Sequence, residues 1–177
     1  MGFRREFYIQ PFFMVAAEMI LMYVIWTFVM LILKSRQRRM IAGAFFFTLS
    51  LGVILWFTVM GRSSNAGVSL VPFISFQRAK QNDEFYRSMI MNVLLFVPFG
   101  LSLPHALPGK IKHKVLVTVL AGFLVSTGIE ACQYFFSLGL CETDDVIMNT
   151  LGAFIGSTSY LLGNAVLRLN RRIKKND

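Results

Sequence analysis

The sequence contains little charge and few of the side chains that carry metal or covalent chemistry. Only 15% of its 177 residues are Asp, Glu, Lys or Arg, and it has two cysteines and two histidines. Hydrophobic side chains make up 55% of the chain, and the mean hydropathy is +0.60. Soluble domains carry about 25% charged residues. This composition therefore excludes an ordinary soluble fold and predicts a bilayer as the solvent.

The scarcity of cysteine and histidine excludes several kinds of site. Cys132 lies inside an apolar run and Cys141 in the loop after it, which is not the pattern of a disulfide framework. We therefore expect inert buried thiols. The sequence also lacks a His-rich metal signature, an activated Ser or Cys arrangement and a phosphate-cradling Gly loop. We expect no metal and no cofactor.

Acidic residues are also scarce, with 9 Asp plus Glu against 18 Lys plus Arg and a formal charge of +9. In a soluble protein this balance would suggest nucleic acid. Here the basic residues lie between apolar runs, where they act as topology signals. We therefore expect no nucleic-acid partner and membrane lipids as the surroundings.

Five apolar segments divide the chain, and each is long enough to cross a bilayer, which takes about 20 residues. The sequence predicts an all-α polytopic membrane helix bundle that forms a single domain over residues 1–177. The first segment is too long for a signal-peptide core, so we expect it to be retained. The predicted spans are about 12–33, 41–60, 89–107, 115–136 and 146–167.

The connections between these spans differ in basic content. One side of the five-span arrangement carries 6 Lys plus Arg, and the other side carries 12. Since the richer side is usually cytoplasmic, the sequence predicts an N-terminus outside and a C-terminus inside. The 61–88 and 137–145 loops would then face outwards.

Several polar residues fall at one depth of the predicted bundle, in its outer half. An ionisable residue within a span costs on the order of 3 kcal/mol, so it requires a partner or a cavity. Glu130 and Gln133 share one helix face, and Asp145 and Asn149 share another, because residues three or four apart are neighbours. Arg62 is the nearest counter-charge. The sequence predicts an outward-facing polar pocket formed by Arg62, Asn92, Glu130, Gln133, Asp144, Asp145 and Asn149.

Simpler roles stay open for members of this group. Glu130 could be a satisfied polar residue that fixes helix register. Asp144 and Asp145 could be no more than charges at the start of the fifth helix, where the helix dipole favours them. Paired carboxylates could also hold a divalent cation, and Glu130, Asp144 and Asp145 would then be its ligands.

Gly152 and Gly156 form a small-xxx-small pair in the fifth predicted span. Such pairs let a neighbouring backbone approach closely in membrane helices. We favour packing within one chain over a dimer face, and the sequence does not indicate an oligomeric state.

Three segments give the chain a resemblance to the VanZ-like family of bacterial membrane proteins. The family's Arg and Asn-Leu-Ile-Pro-Phe element corresponds to Arg62 and 69–73, with Ser69 in place of Asn. The second element is closely matched by 92–100, which reads Asn-Val-Leu-Leu-Phe-Val-Pro-Phe-Gly. The third element is carried by Glu130, Gln133, Asp144, Asp145, Asn149, Thr150, Leu151, Gly152 and Gly156. The resemblance covers about residues 41–165, and the joint occurrence of the three elements is specific.

One departure from the family pattern lies just before the acidic pair. Relatives often carry an Arg there, whereas residues 138–143 of this chain contain no basic side chain. If that Arg balances the acids in relatives, this chain would use Arg62 or Arg78, bind a cation, or act differently.

The resemblance implies a multi-pass protein of the bacterial plasma membrane that acts at the cell envelope. For the founding member of the family it implies teicoplanin resistance without a change in the cell-wall precursor terminus. The leading expectation is lower susceptibility to teicoplanin-type glycopeptides, through binding of the drug or of a lipid-linked wall precursor at the polar pocket. A membrane-embedded enzyme on a lipid-linked substrate and a small transporter or proton relay stay open, with a non-enzymatic role favoured.

Overall fold

The computed structural model describes Ala17 and residues 20–26, 28–30, 32–33, 35–60 and 67–176, with the side chains of Met60 and of most residues beyond 165 excepted. Two three-residue strands, β1 (Gly67–Ser69) and β2 (Leu140–Glu142), accompany the helices. The helices are α1 (Ile20–Met30), α2 (Arg36–Leu55) with its π-helical continuation Trp56–Met60, α3 (Ile74–Ala79), α4 (Asp83–Ala106), α5 (Lys114–Phe135) and α6 (Thr143–Asn176).

Among the described residues, four helices are long and apolar enough to cross a membrane. They are Arg36–Val59, Asp83–Ala106, Lys114–Phe135 and Thr143–Ala165. These segments correspond to the second to fifth predicted spans, and the all-α membrane bundle is confirmed. The first predicted span, 12–33, lies largely outside the described residues, and α1 is a shorter apolar helix within it.

The connection between the second and third spans is more structured than the sequence indicated. It was predicted as a polar loop over 61–88, but its described part contains β1, α3 and the start of α4. The side chain of Asn82 accepts a hydrogen bond from the Glu84 backbone N–H at 3.0 Å. This cap, with Asp83 and Glu84 in the first turn, extends the helix beyond the apolar run that marks the span.

The two strands form a small parallel pair that the sequence did not predict. Val68 lies opposite Cys141, and Ser69 lies opposite Glu142. Neither strand has the length or alternation that identifies a strand from sequence. The pair joins the connection after α2 to the connection after α5, so that residues about 70 positions apart meet at one end of the bundle.

Helix α4 lies at the centre of the bundle and packs against both α2 and α6. Phe96 and Phe99 of α4 are fully buried. The ring of Phe99 lies 5.1 Å from that of Phe47 on α2, measured between centroids. The core cluster consists of Ile54, Leu95, Phe96, Phe99, Leu103, Ile129 and Ala153.

Glycines set the close approach of α4, α5 and α6. Gly156 of α6 lies against the α4 backbone, where an added Cβ would come within 2.7 Å of the Leu101 nitrogen. A Cβ on Gly122 of α5 would come within 2.6 Å of the Ala153 Cβ. Gly152 contacts α4 in the same manner as Gly156. The small-xxx-small pair therefore packs within the chain, as the sequence favoured.

The helix contacts define two chemically different ends of the bundle. Gly43 near the start of α2 meets His105 at the end of α4, so these two helices are antiparallel. We call the end with the starts of α4 and α6 the acidic end, and the end with the starts of α2 and α5 the basic end. All carboxylates with described side chains lie at or near the acidic end, namely Asp83, Glu84, Glu130, Glu142, Asp144 and Asp145.

Candidate functional site

Asp144 joins the start of α6 to the segment after the second span. Its carboxylate accepts hydrogen bonds from the backbone N–H groups of Phe73 at 2.5 Å and Ser75 at 2.7 Å. Both groups belong to the N-terminal end of α3, where N–H groups have no partner within the helix. The side chain is 1% exposed. Asp144 therefore caps another helix, a contact that a charge placed only for its own helix dipole would not make.

Glu130 connects α5 to the strand pair. One carboxylate oxygen accepts a hydrogen bond from the Glu142 backbone N–H at 2.8 Å. Cys141 lies beside the same carboxylate and hydrogen-bonds to it, with Asp145 and Glu142 also near. Burial of the thiol and these negative charges raise the pKa of Cys141. Glu130 is thus a buried tertiary contact on the α5 face that the sequence indicated.

Gln133 reaches across to the π-helical end of the second span. Its side-chain amide donates a hydrogen bond to the Thr58 backbone carbonyl at 2.9 Å, between residues 75 positions apart. Thr58 lies in the π-helical segment Trp56–Met60, a distortion that is frequent at functional sites. The sequence did not single out Thr58, because nothing local marks its carbonyl as an acceptor.

Asn149 makes a polar contact between α6 and α5. Its side-chain amide donates a hydrogen bond to the Ser126 hydroxyl at 2.8 Å. Asn92 lies on α4 next to Val93, whose carbonyl contacts Gly152, one turn beyond Asn149. Sequence reasoning missed Ser126, although its position four residues before Glu130 places it on the same helix face.

The amide side chains of Asn92, Gln133 and Asn149 are buried but not fully hydrogen-bonded. The exposed fraction is 7% for Asn92, 0% for Gln133 and 2% for Asn149. No partner is found among the described residues for Asn92 Nδ2, Gln133 Oε1 or Asn149 Oδ1. An unpaired buried polar atom costs about 1–3 kcal/mol. These three side chains thus present one hydrogen-bond donor and two hydrogen-bond acceptors that have no partner among the described residues.

Two arginines, Arg62 and Arg78, were expected as counter-charges for the acids. Arg62 lies outside the described residues. Arg78 donates to a carboxylate oxygen of Glu142 at 3.2 Å in a partly exposed ion pair. Arg78, one of the two counter-charges that the sequence offered, thus pairs with Glu142, two residues before Asp144.

Six of the seven predicted site residues are described and all six are buried; we call these six the polar cluster. Asp145 is 5% exposed and lies near Cys141, beside Asp144. Within the described residues, no group of three or more His, Cys, Asp or Glu side chains is placed to hold a metal ion. The polar cluster comprises Asn92, Glu130, Gln133, Asp144, Asp145 and Asn149.

The expectation of two buried thiols is wrong for Cys132, which is exposed on the outer surface of α5. The buried face of this helix repeats through Ser126, Glu130 and Gln133, and Cys132 projects away from it. Both cysteines are free, in agreement with the absence of a disulfide framework.

The protein is therefore a membrane helix bundle with buried polar side chains near one end of its helices. The sequence profile of the VanZ/LLP1 family matches residues 19–164. The chain therefore belongs to the VanZ/LLP1 family.

One curated relative supports this assignment. It is Protein VanZ of Enterococcus faecium, which is 39% identical over 80 residues. The alignment covers 45% of this chain and 47% of that protein, so the chain matches about half the length of the relative. No solved structure matches the chain.

Proposed function

We propose that this protein acts in the bacterial plasma membrane and lowers susceptibility to teicoplanin-type glycopeptides by binding a polar ligand at the polar cluster. Family membership supports the role at the cell envelope. The single observation that carries the proposal is the spare hydrogen-bonding capacity of the three buried amides. Buried polar atoms are normally paired, and exceptions require a specific reason. A bound ligand is the reason that we infer.

The chemistry of the polar cluster favours a ligand rich in hydroxyl and amide groups. Gln133 Oε1 and Asn149 Oδ1 require hydrogen-bond donors, whereas Asn92 Nδ2 requires an acceptor. Sugar and peptide groups supply both. The head group of a lipid-linked wall precursor carries sugar and peptide, and its lipid tail delivers it laterally through the bilayer. We therefore favour this precursor over the drug as the occupant.

The proposal requires the acidic end to face outwards, where wall precursors are used. The starts of α2 and α5 bring Arg36, Arg38, Arg39, Lys110, Lys112 and Lys114 to the basic end. Basic residues in short loops are retained in the cytoplasm. The charge distribution therefore supports an outward acidic end.

The test compares teicoplanin susceptibility in a host strain that expresses the protein or its variants at equal membrane level. Glu130→Gln and Asp145→Asn remove buried charges of the polar cluster, and Asp83→Asn removes an exposed charge at the same end. We expect the first two variants to lose most of the protection and the control to keep it. Unchanged protection in both cluster variants would remove the polar cluster from the mechanism.

A structural loss must be separated from a loss of ligand binding. The thermal unfolding midpoint of each purified variant supplies this control. A variant that unfolds at the wild-type temperature and still loses protection supports the proposal. If protection falls only in proportion to the unfolding temperature, the cluster has a structural role and the proposal is wrong.

A further inference from the structure

A buried cation closes the turn between α4 and α5 at the basic end. Lys114 is 8% exposed. Its ammonium group donates hydrogen bonds to the carbonyls of Pro104 at 2.8 Å and Leu107 at 2.5 Å. It also lies 5.4 Å from the centroid of the Tyr160 ring. Carbonyls at a helix C-terminus carry partial negative charge and attract a cation. The position of Lys114 is therefore fixed by the fold.

Two arginines of α2 join this cation. The guanidinium of Arg36 lies against Gly109, where an added Cβ would collide with it. Arg36 is close enough to Lys114 to interact with it electrostatically, and both Arg39 and Lys114 interact in this way with His105. Arg36 and Arg39 are three residues apart and share one helix face. We call Arg36, Arg39 and Lys114 the basic cluster.

The charges of the basic cluster have no described carboxylate near them. The described acids lie at or near the acidic end, and the first turns of α2 and α5 contain no acid. Like charges repel more strongly at the edge of a bilayer than in bulk water, because the local dielectric constant is lower. An anion from outside the described chain would relieve this repulsion.

The N-termini of α2 and α5 also favour a bound anion at this end of the bundle. Ser35 precedes α2 and His113 precedes α5, and neither side chain caps its helix. The first N–H groups of both helices, which lie at the same end of the bundle, thus receive no hydrogen bond from the side chain of the residue that precedes the helix. Helix N-termini attract anions, phosphate in particular.

We propose that the basic cluster binds the phosphate of an anionic lipid head group. Arginine presents a planar fork of donors that fits phosphate oxygens in pairs. The cluster lies at the ends of spanning helices, which is the level of the head groups, and basic sites between helices at that level bind anionic lipids. The lipid phosphate would bridge α2 to the α4–α5 turn. This site is independent of the polar cluster at the opposite end.

The experiment titrates purified protein in neutral detergent with phosphatidylglycerol and follows the thermal unfolding midpoint. Phosphatidylcholine tests for a general lipid effect, and inorganic phosphate tests whether the phosphate group alone is sufficient. We expect phosphatidylglycerol to raise the midpoint at concentrations where the other two do not.

Variants locate the effect. Arg36→Gln and Arg39→Gln should each weaken the apparent affinity for phosphatidylglycerol about fivefold, the typical contribution of one cation near an anionic surface. Arg36→Lys keeps the charge but loses the planar fork of donors, so its affinity should lie between those of the wild type and Arg36→Gln. Lys80→Gln removes an exposed cation at the acidic end and should leave the affinity unchanged. Lys114 is kept in every variant because it closes the turn.

Three results would overturn the proposal. They are equal stabilisation by phosphatidylcholine and phosphatidylglycerol, equal stabilisation by inorganic phosphate at the same concentration, and equal loss of affinity in Lys80→Gln and Arg36→Gln. If Arg36→Gln fails to fold, Arg39→Gln provides the same comparison with Lys80→Gln.

Discussion

The carboxylate of Asp144 accepts a hydrogen bond from the backbone N–H of Ser75, although the two residues are 69 positions apart. The same carboxylate accepts from Phe73. One side chain in the first turn of α6 thus caps α3 and holds the connection after the second span against the bundle. This contact ties α6 to the segment that precedes α4 at the acidic end.

Replacing Asp144 with Asn should release α3. The amide keeps one acceptor oxygen, but its NH₂ group would oppose a backbone N–H. Hydrogen bonds to charged groups contribute about 1.5–3 kcal/mol, and we expect a loss of stability of that order. Hydrogen exchange should increase in residues 67–79. Asp83→Asn, at an exposed first-turn position, is the control, and equal exchange in the two variants would contradict the capping role.

Two glycines of α5 provide a matched test of the helix packing. A Cβ on Gly122 would meet the Ala153 Cβ at 2.6 Å, whereas a Cβ on Gly128 would enter open space. Gly122→Ala should destabilise the protein by about 1–3 kcal/mol through overpacking. Gly128→Ala should be neutral or stabilising by up to about 1 kcal/mol, because alanine favours helix. Thermal unfolding in detergent measures both, and equal midpoints would show that α5 does not approach α6 as described.

Thiol reactivity tests the contact between Cys141 and Glu130. Burial and the negative charge of Glu130 raise the pKa of the thiol, and only the thiolate reacts with maleimide. In a Cys132→Ser background, Cys141 should therefore be labelled slowly at neutral pH. Its labelling rate should reach a plateau at a higher pH than the rate of an unperturbed thiol. Glu130→Gln should lower the pKa of Cys141 and accelerate labelling at pH 7.

The labelling rate at high pH distinguishes a change in the pKa of Cys141 from a change in the exposure of its thiol. Once both proteins are fully in the thiolate form, their labelling rates should converge if only the pKa differs. Glu84→Gln, which alters an exposed acid in the first turn of α4, should leave the whole profile unchanged. A rate in Glu130→Gln that stays higher at high pH would mean that the thiol had become exposed instead.

The orientation of the bundle is tested with two exposed lysines at opposite ends. Lys80→Cys and Lys112→Cys are made in a background without native cysteines. A membrane-impermeant maleimide applied to intact cells should label the cysteine at position 80 and not the one at position 112. The reverse pattern would place the acidic end in the cytoplasm and would contradict the proposed function.

Much of the polar cluster could be predicted from the sequence. Glu130 and Gln133 were expected on one helix face, and Asp145 and Asn149 on another, because the spacing of residues on a helix determines which side chains share a face. Buried polar residues also stand out within apolar runs. Their partners could not be predicted, since Thr58 and the N–H groups of Phe73 and Ser75 belong to distant segments with no local signal.

By itself the sequence determined that this is a membrane helix bundle, where the four long apolar helices of the described residues lie, and which set of connections is richer in basic residues. These properties follow from local composition, because transfer into a bilayer depends on each segment separately. Only the tertiary structure decided that α4 lies at the centre, that β1 pairs with β2 and that Asp144 caps α3. Such contacts depend on which helix faces approach one another, and here the approach is set by glycines such as Gly122 and Gly156 that leave room for a neighbouring helix.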